Sequence, residues 1–151
     1  TEFFPIHLIS NQPNTRLHAQ LDPGRISRDS KVLGREPVRI NCEDAKARGI
    51  VDGDVVRIFN NRGAILAGAV LTDNVRRNVI EIATGAWYDP LEPGAIGSLD
   101  RHGNPNVLTL DKGTSKLAQG PTAHSTLVEI EKFTGIVPEI TVFSQPLTDP
   151  A

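Results

Sequence analysis

The sequence predicts a mainly β fold with short helices, closed into a barrel or packed as a compact sandwich. Three observations carry this. Apolar residues come in short runs rich in Val and Ile, such as Val55-Val56-Arg57-Ile58-Phe59, bounded by turn residues. Only one short stretch, after Asn41, reads as a convincing helix. Gly, Pro, Asn and Asp punctuate the chain throughout, as in barrels and sandwiches.

In order, Phe3 to Ser10 reads as a short buried strand that Pro5 places at an edge or a strand start. The polar loop Asn11 to Gln20 follows directly, and a strand that feeds a dense polar loop is a common setting for a ligand site. Arg16 can make bidentate contacts with a phosphate or carboxylate, or a surface ion pair; His18 can serve a heterocycle or be a structural histidine. Asp22 to Glu36 has no hydrophobic period and reads as loop. Val38 to Ile40 is a strand, and Asn41 caps a helix over Cys42 to Arg48 that stops at Gly49, with Asp44 imitating a capping box. Cys42 reads as inert and partly buried. An Asp52-Gly53-Asp54 turn leads into a strand, Asn60 to Gly63 turns a hairpin, and Ala64 to Leu71 returns. Val79 to Ile82 is a further strand. Trp87 and Tyr88 follow at a turn, where they wall a planar ligand or, the favoured reading, plug the barrel end. Leu91 to Asp100 is loop, Pro121 to Ser125 turn, Thr126 to Phe133 strand, and Val137 to Phe143 a candidate strand before a loosely ordered tail from Ser144.

The stretch Arg101 to Gly120 organises this reading. It is too polar for a core strand and too rich in Gly and Pro for a helix. Asn104, Asn106, Thr109, Asp111, Thr114, Ser115 and Gln119 donate and accept hydrogen bonds, which suits a flat, heteroatom-rich ligand such as a purine or pterin. The plain alternative is a long surface loop with its amides satisfied locally.

Composition narrows the classes. At 151 residues the chain is one domain by length, and a net charge of −2 with scattered Lys and Arg gives no nucleic-acid footprint. One cysteine rules out an internal disulfide framework. No apolar run has the length of a membrane span, and no signal peptide is visible. The chain begins with Thr1 and contains no Met, as expected of a piece of something longer. Zinc spacing, HExxH, a P-loop, GxGxxG and a nucleophile elbow are all missing from the sequence. The carboxylates Asp52, Asp54, Asp89, Asp100 and Asp111 sit mostly in turns, where Asp serves the backbone. The residues therefore support a binding domain better than a self-sufficient enzyme, and no catalytic residue or metal ligand is assigned.

The pattern Ala-x-x-x-Gly-Ile-x-Asp-Gly-Asp-x-Val-x-Ile-x-Asn-x-Arg-Gly, running from Ala45 to Gly63, resembles the double-psi β-barrel domain that closes the molybdopterin-dependent oxidoreductases of the dimethyl-sulfoxide reductase family. The resemblance extends to His7–Gln20, Thr84–Pro90, Asn104–Thr109 and Gly113–Gln119, nearly the whole chain in order. It implies a six-stranded, aspartate-decarboxylase-like double-psi barrel over residues 1–143 with a tail over 144–151. It also implies a share in binding molybdenum bis(molybdopterin guanine dinucleotide), with Ser10, Asn11, Gln12, Arg16, Leu17, His18, Asn106 and Gln119 as the contacts. The implied partners are the remaining domains of a parent reductase and its S-oxide or N-oxide substrate. The fullest match is to S-oxide and N-oxide reductases, with the biotin sulfoxide enzymes nearest on Gly97–Asn106; that group implies a cytoplasmic parent, with a periplasmic one requiring a targeting segment outside this chain. Ala19 departs from the Ser expected in much of the group and removes one hydroxyl. Two further classes stand beside this one: a stand-alone double-psi barrel that binds a protein partner, and a self-processing decarboxylase cleaving at a Gly-Ser bond such as Gly97-Ser98.

Overall fold

The computed structural model describes residues 1–120 and 122–145. Six strands close into one barrel: β1 (Ile6–Ile9), β2 (Pro37–Ile40), β3 (Val55–Phe59), β4 (Ala64–Leu71), β5 (Val79–Ile82) and β6 (Thr126–Lys132), in the order β1-β5-β2-β4-β3-β6. The pairs β1/β5 and β2/β4 are parallel and the other four antiparallel. This is the double-psi barrel expected from the sequence. Closure leaves no free strand edge, so strands of four or five residues suffice.

The interior follows from period-two alternation. Ile6 and Leu8, Val38 and Ile40, Val56 and Ile58, Ile80 and Ile82, Val128 and Ile130 point inward and are buried. β4 supplies Ile65, Ala67 and Ala69, small residues where neighbouring side chains are large. β4 is buried on its outer face as well, because the chain around Val32 and Gly103 lies across it. A Cβ on Gly68 would collide with Val32, so only glycine admits that crossing.

The helices are minor. α1 (Arg25–Asp29) falls where the sequence reads as loop; five residues around the single buried side chain Ser27 show no hydrophobic period to detect. α2 (Cys42–Ala47) starts at the expected cap, where Asn41 Oδ1 accepts from the Glu43 N–H at 3.0 Å. Asp44 does not close a capping box; it is buried and accepts from the Asn78 N–H instead. Gly49 has φ +65°, the left-handed stop expected of it. The candidate strand Val137 to Phe143 does not form: these residues run irregularly, with Thr141 and Val142 N–H donating to Asp89 Oδ2 at 2.8 and 3.1 Å rather than to a strand. In a closed barrel no edge is available to receive a seventh strand. Most of the proposed tail, residues 146–151, lies outside the described residues, as does Pro121.

Strand register decides which loops meet. Leu8 pairs with Thr126, Ile9 with Glu81, Val38 with Ile82, and Phe59 with both Ala64 and Glu129. One end of the barrel therefore gathers the loop after β1, the segment before β2, the β3–β4 hairpin turn, the loop after β5 and the approach to β6. The Asp52-Gly53-Asp54 turn and α2 lie at the opposite end. Asp52 Oδ1 there accepts from Leu71 N–H at 2.8 Å and Asp54 Oδ2 from Val51 N–H at 2.9 Å, so the clearest local motif serves the barrel.

Candidate functional site

The gathered end carries every residue that the sequence singles out for binding. β1's end and β6's start are neighbours, so the loop after β1 and the long loop before β6 leave the barrel side by side. Asn106 and Gln119 line one concavity of about 460 Å³ together with Thr109, Asp111 and Lys112. Asn11 lines another, of about 180 Å³, with Asn14, Thr15, Arg39 and Glu81. The two amide-rich loops thus share a barrel end while lining separate hollows.

The long loop is built in two parts. Asp100, fully buried, accepts backbone N–H groups from Asp89 at 2.8 Å and from Gly103 and Asn104 at 2.7 Å each. Burial pushes its pKa up in spite of these donors. Pro105–Val107 then forms a 3₁₀ turn capped by the Asn104 side chain, and Leu108 drops into the barrel core. Asn60 Nδ2 and Arg62 Nε hold the Leu108 carbonyl at 2.9 and 2.7 Å. Leu108 is the plug at this end. Trp87 and Tyr88, expected there, are 40% and 49% exposed. Beyond Leu108 the loop is largely exposed, and Gln119 Nε2 donates to Ser115 O at 2.8 Å to close a local turn.

The first loop is tied down by hydrogen bonds from the loop after β5 to its backbone carbonyls. Thr84 N–H donates to Asn11 O at 2.9 Å, and Trp87 Nε1 to Ala19 O at 2.8 Å. His18 has φ +50°, and its carbonyl packs against Gly85, itself at φ +93°; a Cβ there would overlap that carbonyl. Ser10 and Asn11 are half-buried; Gln12, Leu17 and His18 are exposed, and so is Asn106 on the long loop. Gln12 Nε2 donates to Arg16 O at 3.3 Å.

Arg16 stands apart from the expectation of a free anion donor. Its guanidinium is buried, with Nε donating to His18 O at 3.1 Å, Nη1 to Ser27 Oγ at 3.2 Å and Nη2 to Thr84 O at 2.8 Å. Nη2 also pairs with Glu36 at 3.0 Å, while Lys31 bridges Glu36 at 2.8 Å and Asp22 at 2.9 Å. Two cations and two carboxylates form a closed, buried quartet beneath the loop. Burial alone would raise the Asp22 pKa; the Trp87 N–H, Lys31 and Ser27 outweigh it and hold the group below 3.8. Sequence reasoning missed Asp22, Lys31 and Glu36 because they lie in a segment without pattern. The only available signal was their opposite charge.

His102 was also missed. It is wholly buried, and Nδ1 lies 2.8 Å from Trp87 O. A carbonyl only accepts, so Nδ1 carries the proton, and Nε2 is left a buried acceptor without a partner among the described residues. Burial first, then the nearby Lys31 charge, lowers its pKa below 6.5.

Exposed neutral amides and hydroxyls on a braced frame suit a polar heterocycle. Asn11 Oδ1 is buried with no hydrogen-bond partner among the described residues, an acceptor that a pterin N–H would satisfy. By this test the residues fit the group the resemblance implies. The sequence profile described as "Molydopterin dinucleotide binding domain" matches residues 6–127, and the chain belongs to that family. It is 53% identical to the trimethylamine-N-oxide reductase of Salmonella typhi over 95% of this chain and 17% of that protein. It is 55% identical to trimethylamine-N-oxide reductase 1 of Escherichia coli (strain K12) over 91% of this chain and 16% of that protein. With the dimethyl sulfoxide/trimethylamine N-oxide reductase of Cereibacter sphaeroides the identity is 48%, over 95% and 17%. Among solved structures, acetylene hydratase from Pelobacter acetylenicus superposes with a TM-score of 0.69 at 15% identity, covering 86% of this chain and 18% of that one, a likeness of fold. The chain spans about a sixth of the length of the curated relatives it matches. Among the described residues no helix is long and apolar enough to cross a membrane.

Proposed function

We propose that this domain forms a wall and lid over the pterin portion of molybdenum bis(molybdopterin guanine dinucleotide) in a parent reductase of small N-oxides or S-oxides. The observation that carries the reading is the pairing of two amide-rich loops at one barrel end, both braced from beneath and one holding the unsatisfied Asn11 Oδ1. When bound, the cofactor supplies the oxygen-transfer chemistry; this chain's residues bind, orient and exclude water. Ser10, Asn11, Gln12 and Asn106 would hydrogen-bond the heterocycle, His18 and Leu17 would cover it, and Gln119 would close the far side. Arg16 acts through the loop it holds, as a positioning residue.

The names of the relatives favour trimethylamine N-oxide or dimethyl sulfoxide as the substrate class. The resemblance to biotin sulfoxide enzymes rests on Gly97–Asn106, where Asp100, His102, Gly103 and Pro105 are buried and Asp100 organises the backbone. Residues with those duties report on the fold more than on a substrate. The sequence resemblance favours a cytoplasmic parent.

The test uses the purified parent. Molybdenum by elemental analysis and GMP released by acid hydrolysis should give about two GMP per metal. Asn11→Ala and Asn106→Ala should each lower that content or the turnover without changing the melting temperature. Full occupancy and unchanged turnover in both variants would remove these residues from the site.

A further inference from the structure

We propose that the segment Leu21–Gly34, built around α1, is a docking surface for the rest of the parent polypeptide, and that Arg25 and Arg28 receive carboxylates there between exposed aliphatic side chains. The proposal rests on the reading that this domain is one part of a larger reductase, and adds where the larger part touches it beside the cofactor loops. A surface connection is ordinarily polar. Here Leu21, Ile26 and Leu33 are 74%, 67% and 67% exposed, and α1 buries only Ser27.

Arg25 and Arg28, three residues apart, share a face of α1 and line one hollow of about 620 Å³ with Ile140 and Phe143. Arg28 lies over the Phe143 ring at 5.5 Å, and Phe143 in turn packs on Trp87 with ring centres 6.2 Å apart. Among the described residues neither guanidinium has a hydrogen-bond or ion-pair partner. Lys31, behind them, is already neutralised by Asp22 and Glu36, and among the described residues Asp29 is the single carboxylate on the rim. Arginine, aromatic and aliphatic groups together compose the centre of protein interfaces, and guanidinium groups favour bidentate carboxylates. The surface is also preorganised, because its inner side carries the buried ionic quartet.

The occupant follows from chain length and charge. In the matched relatives about five-sixths of the polypeptide lies outside the part aligned here, and a covalently joined partner docks at high effective concentration. A second copy is disfavoured, since among the described residues a two-fold self-contact would set arginines against arginines with only Asp29 to answer them.

Hydroxyl-radical footprinting of the full-length holoprotein tests this. Leu21, Ile26 and Leu33 should oxidise roughly tenfold more slowly than a free leucine-peptide standard, and R25E/R28E should restore most of that reactivity. Rates near the standard in the wild type, or protection indifferent to the charge reversal, would overturn the proposal. Protection that disappears on dilution, as a dimer becomes monomer by native mass spectrometry, would assign the surface to a second copy and overturn it too. GMP and molybdenum measured on the same samples separate the two readings. Cofactor present with the segment labelled at the standard rate sinks the docking alone, and protection without cofactor sinks the binding function alone.

Discussion

Replacing Arg16 should cost far more through charge than through lost contacts. Arg16 and Lys31 balance Asp22 and Glu36 in a space where all four side chains are 0–3% exposed. Arg16→Met leaves one carboxylate in excess. Stripping one partner from a buried ionic set costs about 3–5 kcal/mol, whereas replacing an oppositely charged pair together is close to neutral. R16M/E36Q, which leaves Lys31 and Asp22 paired at 2.9 Å, should therefore recover more than half of the loss. Amide hydrogen exchange of residues 11–19 and 84–87 in the full-length protein is the assay, because Arg16 joins these loops through the carbonyls of His18 and Thr84. At 1.36 kcal/mol per decade, R16M should speed exchange there by about 10²- to 10⁴-fold, up to the protection these amides possess. If the double variant exchanges as fast as R16M, the damage comes from the lost hydrogen bonds and the charge argument fails. Unchanged exchange in R16M would refute the quartet as a brace altogether.

Acid should loosen the same region in two steps. His102 is held neutral below its ordinary 6.5, so its contribution is complete above that value and is lost as pH falls from 6.5 towards the folded pKa. Asp22, held below 3.8, contributes above 3.8, and its share is lost as pH falls through its depressed folded value. Melting temperature should therefore decline from pH 7.5 to 5.5, and His102→Asn should flatten that slope; an unaltered slope would acquit His102. Gly85→Ala forces a Cβ against the His18 carbonyl at φ +93°, a strain of about 1–3 kcal/mol. It should speed exchange in the first loop and reduce retained cofactor, and wild-type values of both would show that the loop gives way.

What the sequence determined by itself was the strand content, the hairpin, the turn carboxylates and the identity of the two polar loops. Each is written in neighbouring residues: alternation in Val55–Phe59, a cap at Asn41, a left-handed stop at Gly49, amides clustered at Asn11–Gln20 and Asn104–Gln119. Only the tertiary structure decided what long-range pairing controls. Register brings those loops to one end, and closure leaves Val137–Phe143 without a strand to join. Leu108 became the plug in place of Trp87 because Asn60 and Arg62, from a hairpin more than forty residues earlier, hold its carbonyl. Arg16 was legible as a guanidinium in a binding loop, and its role turned on Asp22, Lys31 and Glu36. Those side chains meet it only once the segment before β2 has crossed the face of β4. Local preference is set by adjacent residues, but a buried charge is defined by what the fold sets against it.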